Sequence, residues 1–204
     1  AVRVQDLGVL HRIRAIAPDL PIHASTQMTI HTPQGAAWAK AHGISRVVVS
    51  RELSRKEIAA VCQMGLEVEV FVHGALCMSV SGQCGLSAVI GSRSANRGRC
   101  AQACRLPFSA AGEKNACALS LKDLCLVPYV QELTQMGVSS LKIEGRCKRP
   151  EYVAAAVTAL VQARNGQEPD LDTLRAVFSR SGFTDGYYTG VRKNMFGTRQ
   201  KEDV

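Results

Sequence analysis

Short apolar runs rich in β-branched residues alternate with amphipathic helical patterns along most of the chain. The apolar runs predict five strands, at residues 2–4, 22–24, 46–49, 68–72 and 140–143. A helical pattern follows each of them, at residues 7–16, 33–42, 54–64, 122–136 and 150–164. Strands that alternate with helices imply a parallel sheet whose strands are joined by crossover helices.

The spacing of these units predicts the α/β class and, within it, a TIM-like (β/α) barrel. The repeat is about 23 residues, and a complete barrel needs eight units, of which five are visible. We therefore expect a barrel that is incomplete in this chain, with about three further units, on the order of 80 residues, before Ala1. A doubly wound open sheet is the alternative, but no Gly-rich phosphate loop follows the first strand.

One long irregular insertion, residues 74–118, interrupts the alternation. Loops of this length inside compact domains are usually functional. It follows the strand at 68–72, and in a βα barrel that position lies on the C-terminal face, where active sites are built. We therefore predict a partial barrel with a cysteine-rich loop at residues 1–165. A C-terminal helix, at 171–179, and an irregular extension would occupy residues 166–204.

Composition indicates a class of binding partner and a cellular compartment. The 204 residues carry a formal charge of +8, from 25 Lys and Arg against 17 Asp and Glu, which favours a polyanion such as RNA. Eight cysteines without a secretory signal favour a reducing, cytoplasmic location. No stretch approaches the roughly 20 apolar residues of a membrane helix, so we expect no membrane partner. A protein partner or an oligomer is not specified by the sequence.

The strongest local feature is a group of four cysteines within 28 residues of the insertion. They are Cys77, Cys84, Cys100 and Cys104. Thiolates are the ligands that zinc and iron–sulfur clusters select. The C-x6-C and C-x3-C spacings differ from the tight pairs of zinc ribbons, which favours a cluster over zinc. Arg97, Arg99 and Arg105 lie close by in the sequence and would offset the cluster's negative charge.

Polar residues at the strand ends are the other candidates. The catalytic candidates are Glu69, His73, Lys142 and Glu144, and the substrate-binding candidates are His23, Gln27, Arg51, Arg97, Arg99 and Arg146. Glu69 shares one strand face with His73 and needs a partner there. Lys142 could pair with Glu69 or bind a substrate carboxylate. For each residue, a structural salt bridge or a helix cap is the alternative.

The motifs around the cysteines resemble those of a known family. The run EVFVHGALC, four residues, then GQCGLS, at 69–77 and 82–87, resembles the diagnostic motif of the peptidase U32 family, the collagenase-like proteases. HASTQM, SRELS, RSANRGRCAQACRLPF, SLKDL and SLKIEGR are similar to its further blocks, in the same order. The resemblance covers nearly the whole chain, and it implies an N-terminally truncated member.

This resemblance implies two functions. One is proteolysis of collagen, without agreed catalytic residues. The other is oxygen-independent hydroxylation of a tRNA wobble uridine, a ribosomal RNA cytidine or a ubiquinone precursor, with a [4Fe-4S] cluster and a dependence on prephenate. The cysteines and the positive charge favour the second function, and no nucleophile–base–orienter set for proteolysis can be assembled.

The resemblance also implies the ligands of the cluster. It assigns them to Cys77, Cys84, Cys100 and Cys104, with Cys125 as a reserve for the fourth position. Ala103 departs from the family, which commonly has Pro there. We therefore predict an RNA-base hydroxylase, with a collagenase-like peptidase as the first alternative and a zinc-stabilised RNA-binding module as the second.

Overall fold

The protein was analysed as a computed structural model, which describes residues 1–110, 112–146 and 148–197. Its described part contains a seven-stranded, mostly parallel sheet and a separate two-stranded hairpin. The large sheet comprises β1 Val2–Val4, β2 Ile22–Ala24, β3 Ile44–Val48, β4 Glu67–Gly74, β7 Asp123–Cys125, β8 Ser140–Ile143 and β9 Phe183–Thr184. The hairpin comprises β5 Phe108–Ala110 and β6 Glu113–Ala116.

Eight α-helices accompany the strands in the described residues. They are α1 Leu7–Ile16, α2 Pro33–Ala41, α3 Arg55–Cys62, α4 Leu86–Gly91, α5 Val130–Gln135, α6 Pro150–Arg164, α7 Leu171–Val177 and α8 Gly186–Thr189. Local signals start several of them. Asp6 caps α1 by accepting from the Val9 N–H at 2.9 Å, and Thr32 caps α2, which opens with Pro33.

Five parallel strands form the frame of the fold. Their order is β1-β2-β3-β4-β8, so each strand lies beside the next parallel strand along the chain. This confirms the five predicted strands and the mainly parallel sheet. A doubly wound sheet reverses its strand order at a switch point, and these five strands show no reversal. Closure of the sheet into a barrel stays a prediction.

The longest strand, β4, organises the region where the cysteines lie. Its first part lies between β3 and β8, and its end pairs with β7, which is antiparallel to it. The predicted helix at 122–136 is therefore wrong in its first half. Residues 123–125 are buried in the sheet, and a 3-10 turn at Val127–Tyr129 precedes the helix, which begins at Val130. The pairing with β4 outweighed the helical pattern.

The C-terminal part of the chain adds to this sheet. The helix predicted at 171–179 is confirmed as α7, and β9 then pairs with β7 in parallel. The division of the chain at residue 165 stays a prediction. The main apolar core contains the strand valines, including Val47, Val48 and Val68, and the helix residue Leu10. In the described residues, no helix has the length and apolar character needed to cross a membrane.

Candidate functional site

A buried carboxylate, Glu69, near the start of β4, organises a group of charged side chains within the sheet. Its oxygens accept from Arg3 at 2.8 Å, from Arg46 at 3.5 Å and from Lys142 at 3.3 Å. The predicted pairing of Lys142 with Glu69 is therefore confirmed. The two arginines were not expected from the sequence.

His23 completes this group, which we call the charged layer: Arg3, His23, Arg46, Glu69 and Lys142. Parallel pairing aligns Arg3, His23 and Arg46 on three adjacent strands. Burial, and then the positive charge of Arg46, lower the pKa of His23. Burial likewise lowers the pKa of Lys142, although Glu69 opposes this. Both shifts favour the neutral forms of these two side chains.

The Phe71 ring links the charged layer to the next group of side chains. The Arg51 guanidinium lies 3.8 Å from the ring centroid, and the Lys142 ammonium lies 4.6 Å from it. Arg51 also pairs with Glu144 at 3.2 Å. Burial lowers the pKa of Arg51, while Glu144 and the nearby Cys77 oppose the shift. Arg51 therefore lies between the charged residues of the sheet and the first cysteine.

Glu144 is positioned by the backbone as well as by Arg51. Its N–H donates to the His73 carbonyl at 2.8 Å, and its own carbonyl accepts from the Tyr152 hydroxyl at 3.2 Å. Gly74, at φ +117°, allows this close approach, because a Cβ there would lie 2.7 Å from the Glu144 carbonyl oxygen. The Glu144 side chain remains 35% exposed and can reach a substrate.

His73 has a different environment from the other catalytic candidates. It is 1% exposed, and its ring stacks on Tyr152 at 5.6 Å and meets Phe183 edge-on at 5.3 Å. Neither ring nitrogen makes a hydrogen bond with a described residue. Burial lowers the pKa of His73 to about 4, which the Leu124 backbone opposes only partly. The structure therefore places a neutral imidazole in the aromatic packing behind Glu144.

The four predicted ligands lie in one electrostatic neighbourhood. Burial raises the pKa of Cys77, and the charges of Cys104 and Cys84 raise it further. Burial also raises the pKa of Cys104, with Cys100 and Cys84 adding to the shift and Arg105 opposing it. We call residues 77–104 the cysteine segment. Its thiols, which are well separated in sequence, therefore influence one another in space.

Hydrogen-bond donors surround these sulfur atoms. The Leu86 N–H donates to Cys84 Sγ at 3.4 Å, and the Gln102 N–H donates to Cys100 Sγ at 3.3 Å. The Ser87 hydroxyl lies 4.0 Å from Cys100 Sγ and accepts from the Ala101 N–H at 3.0 Å. Such N–H donors stabilise thiolates and adjust the potential of iron–sulfur clusters.

The donor set has the chemistry that an iron–sulfur cluster requires. In the parts of the chain that the structure describes, no three His, Cys, Asp or Glu side chains are grouped so as to hold one metal ion. A cluster differs from a single ion, because each of its irons takes its own cysteine. Four cysteines, two of which accept backbone N–H hydrogen bonds, and a nearby Arg51 are a donor set of the kind that such a cluster uses.

Arg105 anchors the cysteine segment, a role that the sequence did not predict. It was expected to offset cluster charge, and its charge does favour the Cys104 thiolate, but it is also only 4% exposed. Its guanidinium donates to the Leu76 carbonyl at 2.6 Å, to the Ser120 hydroxyl at 3.1 Å and to the Leu121 carbonyl. It thereby joins the residue before Cys77 to the residues that lead into β7. An arginine directly after a cysteine gave no signal of this role.

A second anchor lies between Cys77 and Cys84. The hydroxyls of Ser50 and Ser81, both buried, are 2.7 Å apart, and Glu52 accepts from the Ser81 N–H at 3.2 Å. Ser50 and Glu52 flank Arg51, which is one of the predicted substrate-binding residues. The loop that carries Arg51 therefore also holds the first turn of the cysteine segment.

The other cysteines have different surroundings. Cys125, the reserve ligand, is buried in an apolar cluster with Val127 and Val130, and burial raises its pKa to about 11. Cys62 packs against the main core, and burial raises its pKa as well. Cys117 is half-buried. Cys147 lies outside the described residues. Ala103, the departure from the family pattern, is buried in a 3-10 turn just before Cys104.

The arginine candidates of the loops also come together. Arg146 donates to the Gly98 carbonyl at 3.3 Å, so its side chain lies against the turn that carries Arg97 and Arg99. All three arginines are exposed. Gln27 lies elsewhere, against the turn before Cys84, where it donates to the Gly82 carbonyl at 3.5 Å. The structure thus forms a basic surface of residues 97–99 and Arg146, separate from Gln27.

Comparison with known proteins identifies the family. The sequence profile of Peptidase family U32 matches residues 1–195. The chain belongs to peptidase family U32. Members of the U32 family that resemble it carry different names. The chain is 37% identical over 168 residues to tRNA hydroxylation protein P1 of Bacillus subtilis (strain 168), covering 76% of this chain and 40% of that protein.

Two other U32 relatives extend the range of names. The 23S rRNA 5-hydroxycytidine C2501 synthase of Escherichia coli (strain K12) is 40% identical over 160 residues, which is 75% of this chain and 24% of that protein. A protein named Collagenase from Porphyromonas gingivalis (strain ATCC BAA-308 / W83) is 32% identical over 201 residues, which is 84% of this chain and 48% of that protein. The chain thus spans less than half the length of these relatives. No solved structure gives a significant match.

Proposed function

We propose that this U32 chain is part of an iron–sulfur enzyme that hydroxylates an RNA base without using molecular oxygen. The observation that carries the proposal is that the charges of the other predicted ligands raise the pKa values of Cys77 and Cys104, with Arg51, the partner of Glu144, next to Cys77. Soft thiolate ligands next to a charged, partly exposed site suit redox chemistry on a bound substrate. Relatives named for tRNA hydroxylation and for 5-hydroxycytidine synthesis in rRNA support the same function.

Cys77, Cys84, Cys100 and Cys104 would hold a [4Fe-4S] cluster. When bound, such a cluster supplies one-electron transfer close to the substrate. The N–H groups of Leu86 and Gln102 would stabilise the thiolates that they contact in this structure. The buried Arg51 would add positive charge beside Cys77.

The remaining site residues would orient the substrate and move protons. Glu144 Oε2, held by Arg51 and partly exposed, is the proposed proton acceptor. Lys142, whose pKa burial lowers, would pass a proton to or from Glu69 or bind an anionic group. Prephenate, the co-substrate that the family resemblance implies, carries such groups. His73 is enclosed by aromatic rings, and its backbone carbonyl accepts from the Glu144 N–H, so it would position Glu144 and not contact the substrate.

RNA would bind through its phosphates. The exposed Arg97, Arg99 and Arg146 form a basic surface close to the cysteine segment. Lys and Arg that contact phosphates contribute affinity that depends strongly on salt. The net charge of +8 agrees with such a partner.

Peptidase activity is the second candidate, because relatives that match most of this chain are named Collagenase. The described site gives it little chemical support. His73 has aromatic neighbours, and His23 lies among arginines and glutamates. Neither is placed as a base beside a serine or cysteine nucleophile.

The test is anaerobic purification of the protein as its full natural polypeptide, followed by iron and sulfide analysis and a visible absorption spectrum. We expect about four irons per chain, with loss of iron in Cys84→Ala and retention in the matched control Cys62→Ala. RNA from a deletion strain should lack a hydroxylated nucleoside that wild-type cells contain. One zinc or no metal, together with cleavage of gelatin, would return peptidase or zinc-module function to first place.

A further inference from the structure

A cavity of about 640 Å³ lies beside Cys84. Its walls come from the turn after β1, the turn after β2 and the middle of the cysteine segment, residues 83–96. Of the four predicted cluster ligands, Cys84 is the one that lines it. The cavity therefore lies beside the set of four thiols and is not the space between their sulfur atoms. Its volume lies in the range of small-molecule sites.

The polar groups of this cavity present both a hydrogen-bond acceptor and a donor. Gln83 uses both donors of its amide nitrogen, on the Gln27 carbonyl at 2.6 Å and on Thr29 Oγ1 at 2.8 Å. Its carbonyl oxygen is thus the group that it can offer to a ligand. Asn96 is arranged in the opposite way, because its oxygen accepts from the Ser94 hydroxyl. Its amide nitrogen is left to donate.

The rest of the wall suits a flat ring with a phosphate attached. Gly85, Ala88 and Ala95 line the cavity with small side chains, which allow close approach of a planar group. Arg93 lies on the same wall and supplies a positive charge. Nucleobases carry adjacent donors and acceptors on one edge, and enzymes that modify a base read that edge in a fitted pocket.

From these features we infer that the cavity receives the base of an unpaired RNA nucleotide, with Gln83 accepting from its edge, Asn96 donating to it and Arg93 binding its phosphate. This inference rests on the proposed function, because it names where the substrate base of that reaction lies. Cys84 would then bring the cluster next to the base. The arginines of residues 97–99 and Arg146 would bind flanking phosphates outside the cavity.

Photocrosslinking tests the location of the base. An RNA stem-loop with a single 4-thiouridine in its loop would be bound to the full natural polypeptide, irradiated and mapped by mass spectrometry. We expect crosslinks within residues 83–96. Asn96→Leu should lower their yield about 10-fold, as the loss of a base-edge contact does, whereas the matched control Asn165→Leu should not. Crosslinks confined to residues outside 83–96, or a yield that Asn96→Leu leaves unchanged, would overturn the inference.

A second measurement separates this inference from the proposed function. Iron per chain and hydroxylated nucleoside per RNA would be measured in cells that carry wild-type protein, Asn96→Asp or Asn165→Asp. The inference predicts normal iron in all three and about 10-fold less hydroxylated nucleoside in Asn96→Asp alone. Normal hydroxylation in Asn96→Asp would overturn the cavity assignment and leave the hydroxylase intact. Wild-type protein without iron or product would overturn the proposed function, and the crosslinks would still decide what the cavity binds.

Discussion

The charged layer and the cysteine segment meet at Arg51, yet they are held in different ways. In the charged layer, side chains on neighbouring strands contact one another directly, with Glu69 bound by three cations. In the cysteine segment, many hydrogen bonds join a side chain to the backbone, as with Ser87 and with the adjacent Arg105. Short turns with residues at positive φ, such as Ser81 and Gln102, give it its path.

The two regions therefore show two different ways in which one fold positions reactive side chains. Parallel strands fix the charged layer through register, so its geometry depends on the whole sheet. The cysteine segment depends on a few anchors, which hold an irregular backbone around the thiols. Removing one anchor should therefore affect the segment first, and removing Glu69 should affect the sheet.

The largest effect is expected from Arg105→Ala, which breaks the anchor of the cysteine segment. It leaves the buried carbonyls of Leu76 and Leu121 without their donor, at a cost of about 4 kcal/mol in the free energy of unfolding. Urea denaturation measures this loss, and limited proteolysis should show early cleavage within residues 77–104. The exposed Arg99→Ala should change stability by about 0.5 kcal/mol or less. Equal stability of the two variants would contradict the anchoring role.

Glu69→Gln should be next, and it tests the charged layer. Three cations would lose the buried carboxylate that they contact. We expect the free energy of unfolding to fall by about 3 kcal/mol, a loss that is limited because the cations are partly exposed to water. The control is Glu67→Gln, at an exposed ion pair with Arg46, which should cost about 0.5 kcal/mol. Adding Lys142→Met to Glu69→Gln should recover part of the loss. Chemical denaturation of the wild type and these three variants would show whether Glu69 balances these charges.

His73 allows a pH test at the boundary between the two regions. Its pKa is about 4 in the folded protein and near 6.5 when unfolded, so the unfolded state binds more protons between these values. Stability should be complete above pH 6.5 and fall as pH decreases towards 4, by about 2 kcal/mol at pH 5. Denaturation at pH 7 and pH 5 measures this, and His73→Phe should remove that part of the dependence. An unchanged dependence would mean that the pKa of His73 is the same in the folded and unfolded states.

Ser87→Ala should have the smallest effect and sharpens the description of the cysteine segment. It removes the acceptor of the Ala101 N–H and the hydroxyl nearest Cys100. We expect a loss of about 1 kcal/mol in the free energy of unfolding. Ser109→Ala, at an exposed hairpin position, serves as the control and should be neutral. A neutral Ser87→Ala would show that the turn around Cys100 holds its shape without this hydroxyl.

Sequence reasoning succeeded where a local pattern determines the structure. The strands and helices of the βα units followed from periodicity and caps, and helix α6 begins and ends where the pattern predicted. It failed at β7, because Asp123–Cys125 is a strand only through its pairing with β4. The role of Arg3 and Arg46 was missed for a similar reason, since strand register brings them to Glu69. A charged residue between strand valines, as in VRV, was the available signal.

The pairing of β7 with β4 has a consequence for how such proteins can vary. The chain leaves the sheet at Gly74 and returns beside it, since Gly74 and Leu124 are paired. Everything between these two points begins and ends at one place and is joined across its base by Arg105. Such a closed insertion could be exchanged as a cassette between relatives. The scaffold would be kept while the insertion and the surface that it presents are replaced.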